Sequence, residues 1–287
     1  ATNTASSAFG YHSCAAGACS TASGYRSQAT GTDSSAFGRS SVADGCLDLA
    51  IGYEAITTPY AGATNQCPQA NVSIGICTKA CNGFWCTTYT RFEPSIAIGV
   101  CTCSNCGTVA VGICSQATNQ GASAFGWRTC ATGYSSAAIG YCAKAIASWS
   151  HAFGFAAIAS NQGTLALGRW SSASGMQSTA SGYKACSLGQ ESASFGNYAK
   201  SYGTNAVSVG RSTIACCHAS AFGQCSQACL GHSLSMGFQS CSMSCYDLSI
   251  GYKAITVPFA GATNQCPEAN ISIGFCTIAS NGFRCDD

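Results

Sequence analysis

Cysteine offers the most chemistry in this chain: 23 of its 287 residues carry a thiol. Thiols pair as disulfides, ligate metals or act as nucleophiles, and their spacing separates these uses. Cys77, Cys101, Cys114, Cys142, Cys225 and Cys276 each follow a glycine by two residues, in phrases such as SIGIC and AIGYC. The metal alternative rests on CTCSNC from Cys101 and on CCHASAFGQCSQACLGH from Cys216. Structural zinc wants two ligand pairs at set spacing on a turn. These cysteines instead follow a longer period, so disulfides are expected and no metal site is assigned. So high a cysteine content fits an oxidising, extracellular setting, at a cell or virion surface or beyond it. The odd count leaves at least one thiol free or paired with another chain.

Catalysis has little to work with. Ten acidic residues and four histidines (His12, His151, His218, His232) share no register, and phosphate-loop and nucleophile-elbow phrases are missing. No enzyme activity and no cofactor are expected. With 8% charged residues and a net charge of +2, a nucleic-acid surface is not expected, since that needs clustered Lys and Arg. No apolar run approaches the roughly 18 residues of a membrane span. Asn71 in NVS and Asn270 in NIS are candidate glycosylation sites.

The elements that must position these residues are set by a glycine ladder. Glycines after an apolar or small residue fall at 10, 24, 38, 52, 75, 99, 112, 126, 140, 154, 168, 182, 196, 210, 223, 237, 251 and 274. The dominant step is 14 residues; three steps of 23 or 24 are one repeat plus an insertion. Weaker glycines, such as Gly17 and Gly31, bisect the repeat, so each repeat reads as two short strands and two turns. A helix would lose roughly 1 kcal/mol at every such glycine. The expected fold is therefore all-β: a parallel β-solenoid of about 18 coils, one domain over 1–287, with loops inserted near 57–70, 80–94 and 256–269.

Three columns hold through the repeats. The residue before the glycine is large and apolar in 16 of 18 repeats, the residue two before is Ala or Ser in all, and the residue three after is Ser, Thr or Ala in all. Neighbouring side chains on a strand point to opposite faces. The large column (Phe9, Ile51, Phe125) is expected to fill the coil. The small column (Ala8, Ala36, Ala124) is expected to press against another subunit, unless small residues merely suit a tight turn.

SSAAIGYCA from residue 135, NVSIGICT from 71 and TNAVSVGRST from 204 carry a phrase that resembles the head repeats of trimeric autotransporter adhesins. The resemblance implies a left-handed parallel β-roll, assembled as an intertwined or side-by-side homotrimer, that attaches cells to a host protein or to each other. Related repeats occur in virus and phage fibres. No heptad stalk or membrane-barrel segment is read in these 287 residues.

On such coils stacked positions lie about 4.8 Å apart, within disulfide reach. Cys77, Cys101, Cys114, Cys130 and Cys142 are the candidate disulfide ladder. The segment from Leu49 to Cys86 reappears from Leu248 to Cys285, offset by 199 residues. Either this is simple duplication or the copies make matching end contacts that build a filament. Cys67, Cys86, Cys266, Cys276 and Cys285 are candidates for inter-subunit or end contacts. The residue after the glycine is aromatic in ten repeats. Tyr11, Tyr25, Tyr53, Trp127, Tyr141, Tyr183 and Tyr252 form a candidate binding stripe for protein or glycan, or else cover a corner of the trimer core. Ice binding would want a persistent Thr column, which is missing. The expected function is an extracellular structural or adhesive fibre subunit, its main partner itself. The alternative is an adhesin or fibre head that holds a host protein or glycan.

Overall fold

The computed structural model describes residues 1–59, 70–81, 94–257 and 269–280. Every regular element among them is a β-strand, and the strands pair in parallel. No helix among the described residues is long and apolar enough to cross a membrane. The chain forms two compact units, Ala1–Trp149 and Ser150–Asp287, and each is a β-solenoid with the 14-residue spacing of the glycine ladder.

In the first unit the chain alternates between two sheets. The front sheet holds the strands that run into the ladder glycines, from Ser7–Phe9 to Ala137–Tyr141; the back sheet holds the short strands between them, from Cys14–Ala15 to Lys144–Ala145. Equivalent residues pair directly: Ala8 with Ala22, Ala22 with Ala36, Ala110 with Ala124. The register survives the insertions, since Ala50 pairs with Ser73 and Ser73 with Ala97. The strands before and after each insertion therefore stay in register. The second unit repeats the plan, Ala152 pairing with Ala166 and, across its own insertion, Ser249 with Ser272. The inserted segments themselves lie mostly outside the described residues.

The interior differs from the expectation. Ala36 and Ala124 are fully buried inside their own coil, whereas Phe37 and Phe125 point outward and are 38% and 37% exposed. Alternation was read correctly, but the faces were assigned the wrong way round. The reason is width. Front and back strands of one coil lie so close that the space between them is filled almost entirely by Ala, Ser and Thr. In one coil Ser20, Ala22, Ser27 and Ala29 are all fully buried. Some of the hydroxyls are satisfied within the coil, as where Ser20 Oγ donates to the Gly17 carbonyl at 2.7 Å. The column three after the glycine is small for the same reason.

The glycines mark close approach between coils. At Gly112 the backbone lies at φ +131°, and an added Cβ would sit 2.0 Å from the carbonyl oxygen of Gly126. At the bisecting Gly17 an added Cβ would sit 1.9 Å from the Gly31 carbonyl oxygen.

Candidate functional site

Because the small residues are inside, the outer face of the front sheet carries the large ones. Positions three and one before the glycine and one after it all point outward. In Leu49–Tyr53, Val72–Ile76, Ile96–Val100 and Val109–Ile113, twelve outward positions are Leu, Ile, Val or Tyr. These strands stack in register. In the second unit, Ile271, Ile273 and Phe275 are 61%, 61% and 74% exposed on the corresponding face. The back sheet shows Gln28, Lys79, Gln116 and Lys144 outward instead. In the first unit the front sheet is thus strongly apolar on its outer face over these four strands, and the back sheet is mixed.

The aromatic stripe runs along the edge of the apolar face. In the first unit Tyr11 stacks on Tyr25 at 5.3 Å between ring centroids, and Trp127 lies 5.9 Å from Tyr141. In the second, Tyr252 stacks between Phe238 and Phe275 at 5.2 and 4.8 Å. At two of the positions in the column that lack a ring, an arginine lies over the neighbouring rings. Arg39 reaches over Tyr25 and Tyr53, at 5.6 and 5.4 Å. Arg169 lies 5.3, 3.9 and 6.0 Å from the rings of Phe155, Trp170 and Tyr183. Reading aromatics alone missed Arg39 and Arg169; their place in the column after the glycine was the available signal.

The cysteines divide by column. Cys77, Cys101 and Cys114 occupy one corner on successive coils, each with a left-handed backbone of φ 52° to 53°. Their amides bond to the coil before, Cys101 N–H donating to Ile76 and Cys114 N–H to Val100, both at 2.8 Å. All three carry exposed thiols. Cys142 and Cys276 occupy the same corner on other coils. Cys130 does not join the column: it stands on the back sheet between Gln116 and Lys144. The proposed neighbouring of Cys130 and Cys142 is therefore not a stacked pair. Cys67, Cys86, Cys266 and Cys285 lie outside the described residues. Among the described residues, no group of three or more His, Cys, Asp or Glu side chains is arranged to hold a metal ion.

The two sequon asparagines are structural. Asn71 is fully buried and Asn270 is 5% exposed. Asn71 Oδ1 accepts the Ser95 N–H at 3.0 Å, and Asn270 Nδ2 donates to Asp247 at 3.2 Å. In the folded coil both amides are turned inward, out of a transferase's reach. Sequence reading also missed the acids beside them. Buried Asp48 accepts backbone N–H groups from Gly45 and Asn71, both at 2.8 Å. Its duplicate Asp247 accepts them from Ser244 and Asn270, both at 2.9 Å. Burial raises the pKa of Asp48 above its ordinary 3.8, opposed by hydrogen bonds from Asn71, Thr57 and Gly45.

Stacked coils with small inward residues and a glycine rung are the signature against which relatives can be compared. Residues 15–41, 29–45 and 152–185 match the YadA head domain repeat. The matched segments fall in both units. They bear out the resemblance to adhesin head repeats, and the parallel solenoid agrees with it. No curated protein matches the chain.

Proposed function

We propose that the chain is a non-enzymatic, extracellular adhesive or structural fibre subunit that works as a homotrimer. The similarity to the YadA head repeat supports an adhesin-like role at a cell surface. The observation that carries the assembly is the front-sheet outer face, where Leu49, Ile74, Ile98 and Val111 with their register neighbours form an apolar surface facing out of the coil. Burying a large aliphatic or aromatic side chain fully is worth about 1.5–3 kcal/mol. The lone chain gains only part of that for each of these residues. Copies of the same chain are the natural cover, since the face repeats at the coil spacing and so matches itself. The tiny-residue column, first assigned to that contact, is spent inside the coil. Stapling of the corner thiols, such as Cys77 to Cys101, and end-to-end growth through the duplicated blocks are further parts of this reading.

Sedimentation equilibrium of the purified chain tests it. Three times the chain mass, falling to one on Ile98→Lys with the strand content unchanged, supports the assembly; a stable monomer at micromolar concentration overturns it.

A second reading is glycan or host-protein capture by the aromatic stripe. It draws on Arg169, Trp170 and Tyr183, which lie together at the surface of the second unit. Rings of this kind stack on sugars. Loss of glycan-array binding on Trp170→Ala, with the assembly intact, distinguishes it.

A further inference from the structure

Rings and cations interleave along one turn of the second unit, beyond the ends of the front strands Leu165–Leu167, Thr179–Ser181 and Ala193–Phe195. Phe155, Trp170, Tyr183 and Tyr198 lie on successive coils, with centroids 5.7, 5.4 and 5.4 Å apart and planes at 87°, 67° and 76°. In the parallel stacks of Tyr11 on Tyr25 and Tyr252 on Phe275, at 13° and 9°, each ring covers its neighbour. Here edges meet faces, so part of each face stays open. Phe155, Trp170 and Tyr198 are exposed. The Arg169 guanidinium enters this row 3.9 Å from the Trp170 ring. Lys184 Nζ stands 5.3, 5.4 and 5.2 Å from Trp170, Tyr183 and Tyr198. The backbone beneath is fixed: the N–H groups of Trp170, Lys184 and Tyr198 donate to the carbonyls of Phe155, Arg169 and Tyr183 at 2.8, 3.0 and 2.9 Å.

Neither carboxylate in residues 150–257 is spent on these cations; the two are Glu191 and Asp247. Asp247 is buried and accepts amides from Ser244 and Asn270. Glu191 stands at the other turn of its coil, between Cys186–Ser187 and Ala193–Phe195, and accepts from Gln190 at 3.1 Å. The rings attract the two cations through their faces without neutralising them, so the row draws anions. Resting on the reading of the stripe as a glycan site, we propose that this row binds an acidic polysaccharide. Sugar rings lie on the open aromatic faces, and sulfate or carboxylate groups pair with Arg169 and Lys184. The planar guanidinium takes an oxyanion through two parallel N–H bonds, and the ammonium takes it as a point charge. The four rings span three coil steps, about 14 Å, which suits a chain of sugars better than a single one.

Calorimetric titration of the full chain with heparin, polygalacturonate and neutral dextran tests the proposal. Heparin carries sulfate and polygalacturonate carboxylate alone, so the two arms tell the anions apart. At least one of them should bind, more weakly as sodium chloride is raised, and dextran should bind far more weakly. Arg169→Gln and Lys184→Gln should each weaken binding about tenfold, the size of one lost charged hydrogen bond. Lys200→Gln removes the same charge from the back sheet, where Lys200 pairs with Cys186, and should leave binding unchanged. Equal loss from Lys200→Gln overturns the site in favour of general charge attraction. Dextran held as tightly as the acidic glycans overturns the acidic preference and leaves the glycan reading standing, whereas no binding of any of the three overturns both. Tighter binding of oligothymidylate than of either acidic glycan overturns the choice of ligand.

Discussion

The Asp48 carboxylate accepts the backbone N–H of Asn71, 23 residues further along the chain, at 2.8 Å. This contact closes the stack across the first insertion, and Asp247 repeats it with Asn270 at 2.9 Å. Most coils place a serine or threonine here, whose short hydroxyl serves its own turn. A carboxylate reaches two amides, one at the turn and one where the chain returns. Asp48→Ala should cost on the order of 2–3 kcal/mol, because two buried donors lose a charged acceptor. Urea denaturation measures it; a loss below about half a kcal/mol would mean that the clamp is not needed.

The same residue gives a pH dependence. Burial holds the Asp48 pKa above its ordinary value, so the folded state binds this proton more tightly than the unfolded chain. Its contribution to stability is complete below the unfolded value and is lost as pH rises through the folded one. As pH rises from below the ordinary 3.8 through the raised folded value, the parent should lose stability relative to Asp48→Asn. Parallel stability curves for the two would show that the carboxyl is not perturbed in this way.

The narrow interior predicts opposite outcomes on the two sides of one strand. Ala110→Leu forces a branched side chain between the sheets and should destabilise the chain by about 3 kcal/mol or more. Val111→Ala, one residue on, removes outward surface; it should leave the isolated chain nearly as stable but weaken self-association. Thermal unfolding paired with sedimentation separates the two. Similar destabilisation of the fold by both would place Val111 inside.

Gly112→Ala meets two obstacles at once, a positive φ and a carbonyl oxygen in the place of its methyl group. The left-handed backbone alone costs about 1–3 kcal/mol for a residue with a Cβ, and the clash adds to it. The melting temperature should fall clearly, whereas alanine at exposed Gln116 should change it little.

Ser27 buries a hydroxyl that has no hydrogen-bond partner. Ser27→Ala removes that group while keeping its size, so stability should stay level or rise by up to about 1 kcal/mol. A clear loss in the melting curve would mean that the hydroxyl is used.

The period and the parallel coils were legible from glycine spacing alone, because close approach between coils admits no other residue at Gly112 or Gly126. The orientation of the coil was not. Alternation says that Ala8 and Phe9 face opposite ways, but it is symmetric about which way is in. The deciding fact is the distance between front and back strands. That distance shows in the sequence only when Ser20, Ala22, Ser27 and Ala29 are read together as one small interior. Asn71 was misread because a three-residue sequon carries no information on burial.

Within each unit, the amides of one coil reach back to the carbonyls of its neighbour, as Gly24 N–H does to Phe9 at 2.9 Å. Tension applied along the direction of these bonds concentrates on the outermost rung, which must break before the next is loaded. Such a module peels rather than shears. Single-molecule pulling should therefore record a sawtooth whose teeth each release about 45 Å of chain, one fourteen-residue turn at full extension.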